Sequence, residues 1–166
     1  DYHGVDICSA HIIYSETVYP ELRKKLTQRN LEDGLMPFPD GQWSTPTWEN
    51  QSADMAFSAG VLMHLHPPTA ELTCNEMLRI SRKYICHVEE TKGGDIINGY
   101  DLYDFYSNVD GAKILHYNGA YPHPVHDDPN NQWYDKLPRN VMQLIIVDCS
   151  DVDITKKYPM RKWNEE

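Results

Sequence analysis

The stretch ADMAFSAGVLMHL, from Ala53 to Leu65, decides the fold class of this chain. Its nearly continuous apolar run is typical of a strand that is buried on both faces of a parallel sheet. Pro67 and Pro68 follow, and proline is favoured in the first turn of a helix. The next apolar run, YICHVE at Tyr84–Glu89, predicts a second strand. A strand, a helix and a second strand in this order indicate a parallel βαβ unit.

The predicted helix between the two strands is amphipathic. One face carries small and apolar residues at a helical spacing, namely Ala70, Cys74, Met77, Leu78 and Ser81. Basic residues occupy the last turns, where positive charge suits the helix dipole. The helix is therefore expected to pack its apolar face on the sheet.

Further elements on both sides extend this unit to an α/β domain. In chain order they are a strand at Tyr2–Ile7, a helix from its N-cap Ser9 to about Tyr19, short helices at Pro20–Leu26 and Tyr100–Asn108, and strands at Ala112–Tyr117 and Val141–Val147. This order is that of an α/β fold with a mostly parallel sheet. We expect one domain over residues 1–150, followed by a charged and loosely held tail at 151–166.

Length and charge narrow the classes of function. The chain has 166 residues and a net charge of −10, from 15 basic and 25 acidic side chains. An acidic chain without a basic cluster repels a phosphate backbone, so no nucleic-acid partner is expected. The apolar runs fall far short of the roughly 20 residues that a membrane-spanning helix needs. We therefore expect a small-molecule substrate and no membrane partner.

The four cysteines, Cys8, Cys74, Cys86 and Cys149, lie far apart and form no CxxC pair. This spacing argues against a disulfide scaffold and against a cysteine zinc site. No secretory signal is visible, so we expect reduced thiols in a cytoplasmic protein. The first residue is Asp1 rather than methionine, which we expect to reflect processing or a piece of a longer chain.

Four segments, in this order, resemble the C-terminal three-quarters of class I S-adenosylmethionine-dependent methyltransferases. They are YHGVDI at residues 2–7, EDGLMPFPD at 32–40, DMAFSAGVLMHL at 54–65 and EMLRISRKYICHVE at 76–89. The resemblance covers roughly Tyr2 to Asp148. It implies a Rossmann-like sheet, S-adenosylmethionine as the cofactor, and an antiparallel closing hairpin formed by the two late strands.

The first strand of that family and its glycine-rich loop have no counterpart in this sequence. They should precede Tyr2, and the nine glycines of the chain include no GxG. Glycine is needed there because the cofactor approaches the backbone closely. The resemblance also implies that the missing strand is central, between those at Tyr2–Ile7 and Ala53–Ser58. Three alternatives stay open: the chain is a truncated fragment, the two strands pair directly, or another molecule fills the gap.

The resemblance assigns cofactor contacts to residues that follow the early strands. Asp6, with Ile7 beside it, ends a strand where a carboxylate can accept both ribose hydroxyls of an adenosine. Glu32 or Asp33 would accept a hydrogen bond from the adenine amino group. Each assignment has a structural alternative: Asp6 as a cap of the next helix, and Glu32 and Asp33 as a solvated turn.

Ser58 and Gly60 end the predicted buried strand, and His64 follows it. A small side chain and exposed backbone at Ser58 and Gly60 would let a ligand approach, although a turn alone also explains the glycine. His64 is the candidate general base, because histidine titrates near neutrality and many relatives carry one here. A packed histidine at a helix start is the alternative.

A second group of polar side chains falls late in the chain. His116, His123, His126, Asp127 and Asp128 could supply ligands to a divalent metal ion. Their spacing matches no metal motif that we can name, and two prolines indicate a loop, so no metal ligand is assigned. A metal-dependent enzyme that uses this cluster stays open as an alternative function.

The sequence thus predicts a methyltransferase-like domain that transfers a methyl group to a small-molecule or sugar acceptor, with positioning as its main contribution. The other alternative is a non-catalytic, truncated Rossmann-like fragment. Its open sheet would pair with a partner chain, or with a second copy as a homodimer.

Overall fold

The computed structural model describes residues 2–6, 8–28, 48–90, 99–122 and 141–160. The chain divides into two compact units, one of residues 1–47 and one of residues 48–166. Within the described ranges, the first unit contains two strands and one helix, and the second contains four strands and two helices.

The first unit is a small parallel βαβ arrangement. Strand β1 (Gly4–Asp6) pairs in parallel with β2 (Leu26–Gln28), and helix α1 (Ser9–Val18) connects them. The prediction of a helix over Pro20–Leu26 is wrong in its second half, since the helical turn ends at Leu22 and Leu26 begins β2. Arg23 already leaves the helical conformation with a ψ of 130°, and Lys24 follows with a left-handed φ of 65°.

A carboxylate, rather than the predicted serine cap, holds the start of α1. Ser9 is the first helical residue, and the cap position belongs to Cys8, which makes no side-chain cap bond. The Asp6 Oδ1 atom instead accepts a hydrogen bond of 2.7 Å from the Cys8 N–H. Asp6 thereby links the end of β1 to the beginning of α1.

The second unit is a mixed sheet with the strand order β3–β4–β6–β5. Its strands are β3 (Ala53–Ala59), β4 (Ser81–Glu90), β5 (Lys113–Pro122) and β6 (Val141–Asp148). β3 and β4 are parallel, whereas β6 is antiparallel to both β4 and β5. The predicted α/β class and the antiparallel closing hairpin are confirmed, and the pairs among the described strands divide evenly between parallel and antiparallel.

Two helices cover one face of this sheet. α2 (Pro67–Ile80) begins at the predicted proline pair, and α3 (Leu102–Ser107) lies within the predicted range. The predicted apolar face of α2 is buried at Ala70, Cys74, Met77 and Leu78, and Ser81 is buried as the first residue of β4. The rest of the core includes Ile85, Leu102, Phe105, Ile145 and Val147. No helix in the described ranges is long and apolar enough to cross a bilayer.

Strand β3 ends within one residue of its predicted end at Ser58, but it is less buried than its sequence predicts. It ends at Ala59, because Gly60 has a φ of 61° and Leu62–His64 form a single 3₁₀ turn. Met55 and Phe57 are each 55% exposed, so the prediction of burial on both faces is wrong. Helix α2 packs on the opposite face of the strand, where Ala56 and Ser58 are buried.

β1 pairs with β2 in the sheet of the first unit, and β3 pairs with β4 in the sheet of the second unit. β1 and β3 each have one edge with no partner strand among the described residues. The three alternatives that the sequence left open for the missing strand stay predictions.

The expectation of a loosely held tail is wrong for residues 151–160. Val152 and Tyr158 are buried. The Asn75 side chain on α2 exchanges two hydrogen bonds with the Tyr158 backbone, at 2.8 and 2.9 Å. Gly111 approaches the same segment so closely, with a φ of 86°, that a Cβ there would collide with the Asp151 carbonyl oxygen. These contacts tie the segment to the second unit.

All four cysteines are free thiols, of which Cys74 and Cys149 are buried and Cys8 and Cys86 are half-buried. Burial raises the pKa of the Cys74 thiol well above its usual value, and it raises the pKa of Cys149 to about 11. Thiolate chemistry at these two positions is therefore suppressed near neutral pH.

Candidate functional site

Polar side chains meet on the buried face of β3 and β4, towards the carboxyl ends of the two strands. Ser58 of β3 lies opposite His87 of β4 in the parallel register. Because side chains alternate between the faces of a strand, Glu89 shares the face of His87. Tyr106 of α3 packs against this face, with its ring centroid 5.5 Å from that of His87. Ser58 is 7% exposed and the other three are at most 1% exposed.

A continuous chain of hydrogen bonds joins these four side chains. The Ser58 hydroxyl donates to Glu89 Oε1 at 2.7 Å and lies 2.7 Å from His87 Nδ1. Because its single hydrogen is used on Glu89, His87 Nδ1–H is the donor to Ser58. His87 Nε2 then accepts from the Tyr106 hydroxyl, which lies 2.6 Å away. The hydrogen-bond partners thus assign the tautomer of His87.

Glu89 also holds the segment that follows β3, residues 60–64, which we call the post-β3 loop. Glu89 Oε2 accepts hydrogen bonds of 3.0 Å from the Val61 and Leu62 N–H groups. Glu89 Oε1 lies 3.2 Å from the same Val61 nitrogen. A buried carboxylate therefore fixes a loop at the carboxyl end of a parallel strand, which is where open α/β sheets bind their ligands.

Burial shifts the pKa values of His87 and Glu89 in opposite directions. It lowers the pKa of His87 to about 3, so the imidazole is neutral near pH 7. It raises the pKa of Glu89 to about 7, although the Ser58 hydroxyl and the loop N–H groups favour the charged form. The Glu89 carboxyl is thus balanced between its two protonation states near neutrality.

Three predicted site residues lie on the post-β3 loop or directly before it. Ser58 directs its hydroxyl into the buried chain. Gly60 donates its N–H to the Val88 carbonyl oxygen at 2.9 Å, and among the described residues a Cβ there would have only Met63 Cε nearby, at 3.7 Å. His64 ends the 3₁₀ turn and is exposed. An exposed imidazole can exchange protons with a bound molecule, and the role of His64 as a base stays a prediction.

Asp6 lies in the first unit, at the carboxyl end of β1. Its side chain is 41% exposed and lines a cavity of about 430 Å³, together with residues that include Tyr2 and Leu26. Asp6 Oδ1 accepts from the Cys8 N–H, and Oδ2 lies 3.4 Å from His11 Nδ1. A carboxylate has about four acceptor positions, so this geometry leaves room for two further donors. Asp6 therefore holds the helix start and still has acceptor capacity for a ligand.

Other predicted site residues lie outside the described residues. They are Ile7, Glu32 and Asp33 of the cofactor prediction, and His123, His126, Asp127 and Asp128 of the metal cluster. His116 is described and is an exposed residue of β5. No three His, Cys, Asp or Glu side chains group as metal ligands in the part of the chain that the structure describes. The metal hypothesis and these cofactor contacts stay predictions.

The sequence reasoning missed His87, Glu89 and Tyr106. A signal for the first two was present, because alternation along YICHVE puts His87 and Glu89 on the face of Ile85, a core residue. A histidine and a glutamate at core positions of a strand need buried hydrogen-bond partners. The signal for Tyr106 was absent, because its partner is set by how α3 docks on the sheet.

Comparison with known proteins gives a fold likeness. No family model matches the chain, and no curated protein matches it either. A proposed sarcosine dimethylglycine methyltransferase from Galdieria sulphuraria superimposes with a TM-score of 0.54 and 10% identity, over 89% of this chain and 69% of its own. A SAM-dependent methyltransferase from Methanosarcina mazei gives a TM-score of 0.49 and 13% identity, over 88% of this chain and 80% of its own. The first likeness shows that this chain shares the α/β fold of a methyltransferase structure.

Proposed function

We propose that this chain binds S-adenosylmethionine and transfers its methyl group to a small-molecule or sugar acceptor in the cytoplasm. The observation that carries the proposal is the fold shared with a methyltransferase structure over 89% of the chain. The exposed carboxylate of Asp6 supports it, because nucleotide-binding folds hold a ribose at the carboxyl end of a parallel strand. A net charge of −10 favours a small acceptor over a nucleic acid.

The residues present fit such a cofactor at Asp6. The Cys8 N–H fixes one carboxylate oxygen, and the remaining acceptor positions would receive two ribose hydroxyls. When bound, the cofactor supplies a methyl group activated on a sulfonium ion. Gly60 would let a ligand approach the post-β3 loop, since it has no side chain, and His64 would take a proton from an acceptor that must lose one.

Calorimetric titration with S-adenosylhomocysteine tests the proposal. We expect micromolar binding by the wild-type protein and about tenfold weaker binding by Asp6→Asn, which keeps the side-chain shape but removes its charge. Asp54→Asn is the matched control, because Asp54 is an exposed carboxylate paired with Arg82 at the amino end of β3. The control should bind like wild type. No heat from a folded wild-type sample contradicts the proposal.

A non-catalytic, self-associating fragment is the second candidate function. The observation that favours it is the free edge of β1 and of β3 among the described strands, because unpaired edges are templates for strand addition. On this proposal a second copy of the chain, or a partner chain, pairs with the free strand edges. The chain then has no affinity for the cofactor. Light scattering over a concentration series separates the candidates. A dimer without cofactor binding supports the fragment, and a monomer that binds S-adenosylhomocysteine contradicts it.

A further inference from the structure

Glu89 connects the buried hydrogen-bond chain to the post-β3 loop. On one side its Oε1 atom accepts from the Ser58 hydroxyl at 2.7 Å. On the other side its Oε2 atom accepts from the N–H groups of Val61 and Leu62 at 3.0 Å. Both oxygens are therefore occupied by donors, and a proton on either oxygen requires a neighbouring donor to turn away or to become an acceptor.

One protonated arrangement fits the observed distances. With its proton on Oε1, Glu89 donates to Ser58 Oγ across the same 2.7 Å. The Ser58 hydroxyl then donates to His87 Nδ1, and His87 Nε2–H donates to the Tyr106 hydroxyl, at the same 2.7 and 2.6 Å. Tyr106 has the Cys74 thiol as its next side-chain partner. Every member stays hydrogen-bonded, and His87 changes tautomer while it remains neutral.

Protonation also changes the hold on the loop. Hydrogen bonds to an ionised acceptor are roughly twice as strong as those between neutral groups. The N–H groups of Val61 and Leu62 would keep Oε2 as a neutral acceptor and lose the charged one. The post-β3 loop, with Gly60 and His64, is therefore held more firmly when Glu89 is ionised.

Titratable and polar groups face Glu89 from each packed element. They are Ser58 on β3, Cys74 on α2, His87 on β4, Tyr106 on α3, and Gln143, its register partner, on β6. The neighbouring Glu90 belongs to the other face of β4, because side chains alternate along a strand. Burial lowers the pKa of His87 to about 3 and raises those of Cys74 and Tyr106. These three side chains therefore stay neutral while Glu89 gains or loses its proton near neutrality.

We propose that Glu89 is a positioning residue: its ionised carboxylate holds the post-β3 loop in its ligand-binding form, and its protonation loosens that loop and reverses the hydrogen-bond chain through His87. This inference rests on the proposed function for the identity of the ligand. It implies that the affinity for the cofactor falls as pH drops through the titration of Glu89.

Nitrogen-15 NMR of the wild-type protein tests the buried part of the proposal without a ligand. Between about pH 5.5 and 8.5, the amide signals of Val61 and Leu62 should shift with one midpoint. The ring nitrogens of His87 should change, with the same midpoint, from the Nδ1-protonated tautomer at high pH to the Nε2-protonated tautomer at low pH. Amide signals that stay fixed, or a single His87 tautomer throughout, overturn the proposal.

Glu89→Gln should abolish the shared midpoint, because an amide cannot ionise. The matched control is Glu90→Gln, at the neighbouring carboxyl, whose buried Oε2 has no hydrogen-bond partner within the described ranges. The control should keep the midpoint. Loss of the midpoint in both variants, or in neither, overturns the proposal, and the wild-type titration decides it alone if Glu89→Gln does not fold.

Affinity for S-adenosylhomocysteine at two pH values tests the effect on the ligand. The wild-type protein should bind severalfold more weakly at about pH 6 than at about pH 8, and Glu89→Gln should lose this difference. No binding by wild type at either pH contradicts the proposed function, while the NMR titration still decides the role of Glu89. Equal binding at both pH values overturns the positioning role and leaves the proposed function standing.

Discussion

The Ser58 hydroxyl donates to Glu89 Oε1 over 2.7 Å and so joins two residues that are 31 positions apart in the sequence. A slip of one residue between β3 and β4 would turn Ser58 to the other face and leave the buried carboxylate without this donor. The hydrogen bond therefore favours the register in which Ser58 of β3 lies opposite His87 of β4. The same carboxylate accepts the Val61 N–H, so strand register and loop position depend on one side chain.

Replacing Glu89 by Gln should change how stability depends on pH. Burial raises the pKa of Glu89 from 4.5 to about 7, so between these values the folded protein binds more protons than the unfolded chain. Ionisation of Glu89 therefore removes stability as pH rises through this window, by up to about 3 kcal/mol. Glu89→Gln cannot ionise and therefore does not lose stability in this way. Its free energy of unfolding relative to wild type, measured by urea denaturation, should increase from about pH 5 to about pH 8.

In both the variant and the wild type, His87 makes stability change with pH in the opposite direction to Glu89. Burial lowers its pKa from 6.5 to about 3, so the folded protein binds fewer protons than the unfolded chain in this window. Its contribution to stability therefore grows as pH rises to about 6.5 and is lost as pH falls towards 3. Because both proteins contain His87, its contribution cancels when the free energy of unfolding of wild type is subtracted from that of Glu89→Gln. A difference that stays level or decreases with pH contradicts the prediction for Glu89.

Tyr106→Phe should destabilise the fold by about 1–3 kcal/mol, because it removes the 2.6 Å hydrogen bond to His87 and leaves a buried ring nitrogen without its partner. Tyr103→Phe is the matched control on the same helix. Tyr103 is 47% exposed, and its ring contact with Tyr117 survives the change. The control should stay within about 0.5 kcal/mol of wild type in urea denaturation. Equal effects of the two changes would refute a special role for the Tyr106 hydroxyl.

Two glycine-to-alanine changes should differ in cost. Gly60 and Gly111 both have positive φ, so alanine at either position costs about 1–2 kcal/mol. At Gly111 the new Cβ also collides with the Asp151 backbone, whereas at Gly60 the nearest atom is Met63 Cε at 3.7 Å. Thermal unfolding should therefore show a clearly larger decrease in Tm for Gly111→Ala than for Gly60→Ala. A larger loss for Gly60→Ala would contradict the packing of the late segment on Gly111.

Thiol labelling should separate the cysteines into two classes. Cys74 and Cys149 are 0% and 1% exposed, and burial raises the pKa of both thiols. Both should resist a disulfide reagent in native buffer and react on denaturation, whereas the half-buried Cys8 and Cys86 should react in native buffer. Peptide mapping by mass spectrometry identifies the labelled sites. Rapid native labelling of Cys74 would show that α2 does not pack as described.

The parts of the fold with strong periodicity could be predicted from the sequence. The proline pair and the apolar face predict α2, and apolar runs predict β4 and β6. β2 (Leu26–Gln28) was missed because three residues are too few to show a period, and its strand geometry comes from pairing with β1. The end of β3 was predicted to within one residue, because Gly60 follows it and the backbone turns there.

The candidate site was predicted only in part. The positions of Asp6 at the end of β1 and of Gly60 after β3 could be predicted because strand ends and glycines are local signals, and the ligand contacts of both residues stay predictions. The link from Ser58 to His87 and Glu89 depends on the cross-strand register, which follows from how the whole sheet assembles. Tyr106 enters through the docking of α3, and no local pattern specifies that contact.

Strand β6 lies between β4 and β5, although it is the last of the described strands to be synthesised. A ribosome therefore delivers β4 and β5 well before the strand that joins them. The synthesis of residues 123–148 takes roughly 1 to 5 seconds at about 5–20 residues per second, and during that time both inner edges are open to other polypeptides. The yield of native protein in a cell will accordingly depend on chaperone protection during that interval, and not only on the stability of the finished sheet.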